Sequence, residues 1–97
     1  MASMSPHLLR WRRFGTREVR EARAFAAAGG IALHANLFKL HGHETFHMLG
    51  PDEATLVAAG RELGLPQQRL HRSRTLHFDL FGETLARALA RCEGADA

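Results

Sequence analysis

The apolar positions of this chain change period several times, and each change marks an element. From Arg17 to Ala28, Val19, Ala22 and Ala26 recur at helical spacing, Phe25 widens the stripe, and Arg17 stands one turn before Glu21. Thr16 suits the N-cap of this helix, and Gly29-Gly30 ends it. Between Ile31 and Phe38 the period shortens to two. Ile31, Leu33, Ala35 and Leu37 point one way and His34 and Asn36 the other, which predicts a strand with one wet face. Gly50-Pro51-Asp52-Glu53 predicts a second helix, with proline at the first helical position and two acids at the positive helix end. Leu56, Ala59 and Leu63 form its buried stripe, Gly64 suits the left-handed position after it, and Pro66 prevents continuation. Gln68 to His71 reads as a short strand and Arg72-Ser73-Arg74 as a loop. Thr75 to Leu80 is extended again, with His77 and Asp79 on one face and Leu76, Phe78 and Leu80 on the other. A last helix starts near Gly82, buries Leu85, Leu89 and Cys92, and ends at Gly94.

This element order predicts an α/β fold, a small and mainly parallel sheet flanked by three helices. Residues 1–15 are expected to be a basic N-terminal arm, with Trp11 and Phe14 free to pack, and residues 16–97 a single α/β domain. A chain of 97 residues buries roughly 60–65% of its unfolded surface, a modest but real core. No apolar run is long enough to cross a bilayer. Cys92 is the only cysteine, so an internal disulfide is excluded and a cytoplasmic location is expected.

Charge adds one feature. The formal net charge is +3, and the basic residues are clustered. Arg10, Arg12, Arg13, Arg17, Arg20 and Arg23 are set against only Glu18 and Glu21, and Arg69, Arg72 and Arg74 make a second group. Such clusters suit a phosphate-containing ligand or nucleic acid. No nucleic-acid motif is present, and aromatics do not interleave with the basic runs.

The chemistry lies in Leu40 to Leu49, which holds His41, His43 and His47, and in the later triplet His77-Phe78-Asp79. Imidazoles two apart on a strand or four apart on a helix can converge on one ion, and Gly42 predicts a turn or bulge inside the stretch. The candidate metal ligands are His41, His47, His77 and Asp79, a set suited to zinc or manganese and to water activation. His71 or Glu44 stands as a general base. The alternative is structural: His47 bonds backbone near a helix start and Asp79 caps the last helix. Classical nucleophiles are not indicated, because Cys92 falls on an apolar helix face and Gly29-Gly30 precedes a strand rather than a helix.

From Leu40 onward the residue order resembles a small, mostly bacterial family of domains of unknown function. The resemblance rests on His41-Gly42, Phe46-His47-Met48-Leu49, Pro51-Asp52-Glu53, Leu63-Gly64-Leu65-Pro66, Leu70-His71 and His77-Phe78-Asp79-Leu80, about half of the chain. Phe46 stands where that family usually has Trp, Phe78 where it has Tyr, and Asn36 about where an acid ends its first strand. The resemblance implies a fold and a polar cluster, and no particular reaction. Two other readings stay open: a non-catalytic phosphate or nucleic-acid module using the Arg-rich helix, and a homodimer in which Trp11 and Phe14 pack against a second copy.

Overall fold

Alternation sets the sheet. The computed structural model describes residues 9–72 and 75–93, without the side chain of Phe38. Its elements are β1 (Trp11–Phe14), α1 (Val19–Ala27), β2 (Ile31–Leu40), β3 (His43–Leu49), α2 (Glu53–Glu62), β4 (Phe78–Leu80) and α3 (Gly82–Ala90). The strands lie side by side in the order β1-β2-β3-β4.

The α/β class matches the expectation, but the sheet is not mainly parallel. Only β1 and β2 run parallel, joined through α1; β2/β3 and β3/β4 are antiparallel. The reason is local. His41 (φ 51) and Gly42 (φ 81) both take left-handed backbone, forming a two-residue hairpin turn, and so short a link can join only antiparallel strands. Gly42 thus marks the turn that the sequence suggested, and the strand before it runs on to Leu40.

Trp11–Phe14 lies within the stretch expected to be an irregular arm, yet it forms edge strand β1. Trp11 pairs with Ile31 and Phe14 with His34, and both aromatic side chains are buried. A four-residue strand is too short to show a period, so its sequence did not reveal it. Gln68–His71 also departs from the strand expected there. Gln67–Arg69 forms a single 3₁₀ turn after Pro66, and His71 alone makes an isolated antiparallel bridge with His77.

The two sheet faces are covered differently. On one face, α2 and α3 seal a core in which Trp11, Ile31, Leu33, Phe46, Met48, Phe78 and Leu80 meet Leu56, Ala59, Leu63, Leu85 and Ala88. On the other, among the described residues, α1 sets Ala22, Ala26 and the half-buried Phe25 against Phe14, Ala32 and Leu49. The helix caps follow the sequence in part. The Asp52 carboxylate accepts from the Thr55 backbone N–H at 2.8 Å, so Asp52 is the N-cap of α2 and Pro51 precedes the helix rather than opening it. Gly64, at φ 86, takes the left-handed position after α2. The N-cap of α1 is Glu18, not Thr16; Thr16 instead presents its carbonyl to His34. Leu37 does not join Ile31 and Leu33 in the core but is 82% exposed. The strand register shifts between Ala35 and Lys39, and the hairpin here runs beyond the paired residues of β1 and β4. The expected helix end at Gly94, and Ser73 and Arg74 of the expected loop, lie outside the described residues.

Candidate metal centre

The site follows from strand pairing. In the register of the sheet, Phe14 stands opposite His34, His34 opposite His47, and His47 opposite Asp79. Residues directly opposite share a face, so these four form one row across the sheet. Phe14 at one end is covered by α1; the other three lie on the part of the face that α1 leaves open. His77 lies two residues before Asp79 and so shares its face. His71 adds a fifth column. It exchanges two backbone hydrogen bonds with His77, at 2.9 and 3.1 Å, and the two rings stack with centroids 5.0 Å apart. Phe78, between His77 and Asp79, is fully buried on the opposite face and fixes the direction of both.

The side chains converge on Asp79. His47 Nε2 lies 3.3 Å and His77 Nε2 3.6 Å from Asp79 Oδ1, while His71 Nε2 is 3.0 Å from Asp79 Oδ2. One ligand atom from each of His47, His77 and Asp79 lies within 4.8 Å of the other two, close enough to hold a metal ion. The His47 and His77 rings also have polar partners of their own. His77 Nδ1 is 2.8 Å from the Thr75 carbonyl, which can only accept, so Nδ1 carries a proton and Nε2 is the ring nitrogen turned to the site. The Asn36 amide nitrogen is 3.0 Å from His47 Nε2; donating there, it leaves that nitrogen as an acceptor. Two imidazole nitrogens, His47 Nε2 and His77 Nε2, thus face one carboxylate oxygen. Burial, and next the neighbouring His77 ring, hold the His47 pKa below the usual 6.5, against the opposing pull of Asp79. His47 is therefore neutral at pH 7, the form that ligates metal.

The structure brings together three of the four predicted ligands. His41 is not among them. It sits exposed at the tip of the β2–β3 hairpin, away from the row that pairing builds. Glu44 alternates to the other face of β3 from His47, whereas His71 reaches Asp79. Asp79 does not cap α3: the residue preceding that helix is Phe81, and no side chain caps it. Asn36 and His71 were visible as polar residues, but their meeting with His47 and Asp79 depends on register and on the bridge. Cys92 is buried, and burial pushes its thiol pKa up to about 11, so it is no thiolate nucleophile.

A cleft of about 380 Å³ opens over the cluster, walled by Lys39, Leu40, Arg69 and Phe81. A second shares His47 and His77 and is bounded by Val19 and Arg23 of α1. Several arginines are already engaged in the fold. Arg10 pairs with Glu93 at 2.9 Å, Arg72 with Glu53, and Arg91 with Glu62 at 2.8 Å. Arg17, Arg20 and Arg23 are exposed. Among the described residues no helix is long and apolar enough to cross a membrane.

The fold and the site together define a small α/β domain with a His–His–Asp cluster on an open sheet face. Comparison with family models, with curated proteins and with solved structures finds no match to this chain.

Proposed function

We propose that this protein binds a divalent metal, zinc or manganese, through His47, His77 and Asp79, and that the site is hydrolytic. The observation that carries this is the convergence of two imidazole nitrogens and a carboxylate oxygen within 4.8 Å. Two histidines and one carboxylate on one face leave coordination positions open toward the cleft, where a metal-bound water is acidified toward neutrality. His71, donating to Asp79 Oδ2, orients the carboxylate and leaves Oδ1 for the ion. His47, His77 and Asp79 also lie in the motifs that carry the resemblance to the family of small bacterial domains, which supports a shared site. A cytoplasmic location accords with the single, buried Cys92.

The test is a zinc and a manganese titration of untagged protein followed by thermal melting. At a free concentration about 100 times Kd, one bound ion adds about 2.7 kcal/mol of stability. Asp79→Asn and His77→Ala should abolish that gain, and an equal gain in the variants would remove these residues from the site. No gain in the wild type would leave a hydrogen-bonded His–Asp group without metal. A second reading, a phosphate or nucleic-acid module built on α1, is supported by the exposure of Arg17, Arg20 and Arg23. Charge reversal at Arg17 and Arg20 should then weaken DNA or RNA binding and flatten its salt dependence.

A further inference from the structure

The cleft over the cluster has a charge pattern that its metal ligands do not require. Lys39 enters from the hairpin and Arg69 from the 3₁₀ turn, two segments that are far apart in the chain. Both side chains are exposed, and neither forms an ion pair among the described residues. That separates them from Arg10, Arg72 and Arg91, which pair with acids. Among the described residues, Asp79 is the only acid lining the cleft. With a divalent ion on Asp79, the cleft would hold four positive charges against one negative.

The cleft also has apolar walls. Leu40 and Phe81 are two of the four large apolar side chains exposed among the described residues, at 43% and 39%, and both line this cleft. Its volume is that of a site for a small molecule.

We infer that the cleft binds a small organic phosphate, a phosphomonoester with an apolar or aromatic group. The inference rests on the metal-site reading. Excess positive charge selects a dianion over a monoanion, and a phosphomonoester carries about −1.5 to −2 at pH 7. Arg69 offers a planar fork suited to two phosphate oxygens, Lys39 a point charge for a third, and the cluster ion a further contact. Leu40 and Phe81 then cover the organic group. A phosphate polymer is less well matched, because a walled cleft receives one group whereas a strand needs a track of cations.

Calorimetric titration with benzylphosphonate, whose phosphorus–carbon bond resists hydrolysis, tests this on the zinc-loaded full chain at a pH above the second phosphonate ionisation, where the ligand is a dianion. Binding on the order of tenfold tighter than that of phenylacetate, a monoanion with the same aromatic group, is expected. Lys39→Ala and Arg69→Ala should each weaken benzylphosphonate binding about tenfold without weakening zinc binding. Both positions are exposed, and unaltered melting of the variants confirms folding. If zinc binds but benzylphosphonate does not, or binds no better than phenylacetate, the inference is overturned and the metal site stands. If zinc does not bind, the metal reading falls. Benzylphosphonate binding that still depends on Lys39 and Arg69 then keeps the anion site, and its absence ends that too. A short single-stranded oligonucleotide bound more tightly than benzylphosphonate overturns the small-molecule assignment in favour of nucleic acid.

Discussion

Strand β3 has two faces that have met opposite fates. Phe46 and Met48 point to the side sealed by α2 and α3 and are 2% and 0% exposed. His47 points to the other side, where α1 stops short, and its side chain remains 35% exposed, although Thr45 on the same face is buried. One strand thus fixes the core with alternate residues and presents a polar row with the residues between. The contrast teaches what positions the cluster. His47 and Asp79 each lie between buried neighbours in their strand, and His77 directly precedes buried Phe78 at the start of β4, so core packing sets the direction of all three.

The largest effect should come from breaking the sealed face directly beneath the site. Phe78 is completely buried between His77 and Asp79 in sequence. Phe78→Ala should cost about 3–5 kcal/mol in urea unfolding, a range typical for a buried Phe. If the loss is near zero, the core does not fix the direction of the cluster.

A finer perturbation of the same contact is Gly60→Ala. A Cβ at Gly60 would lie 2.7 Å from the Phe78 ring. Alanine raises intrinsic helix stability by about 1 kcal/mol over glycine, but forcing apart a packed core costs about 1–3 kcal/mol. A net loss is expected on urea unfolding, accompanied by weakened zinc binding as Phe78 shifts. A gain in stability would show that the ring moves aside freely.

The open face should show itself through pH. The His47 pKa is lowered in the folded state, so between that value and about 6.5 the unfolded chain binds more protons than the folded one. The stability contribution is therefore complete above pH 6.5 and is lost as pH falls through the folded pKa. His47→Gln should flatten this part of the melting-temperature profile between pH 7.5 and 5. An unchanged profile would assign the slope to another group.

The smallest effect sharpens the comparison by its absence. His41 is at the hairpin tip, outside the row, so His41→Ala should leave zinc affinity unchanged within error. A tenfold loss of affinity would show that the hairpin folds over the cluster when metal binds.

Much of this was legible in the residues. The period-two run from Ile31, the capped helix after Asp52 with its Leu56, Ala59 and Leu63 stripe, and the shared face of His77 and Asp79 are local properties, and the structure contains each of them. They were readable because helix and strand periodicity, caps and turn glycines act over a few residues. The meeting of His47 with Asp79 was anticipated but not determined by sequence, since some thirty positions separate them. Strand order and register decided it, by placing His34, His47 and Asp79 opposite one another. The same long-range pairing drew Trp11 and Phe14 into the sheet, made most of the sheet antiparallel, set His71 against His77 and left His41 outside. Sequence alone determined which residues alternate and where the chain turns. Tertiary structure decided which alternating faces meet, because a one-residue change of register would turn every side chain of a strand to the other side.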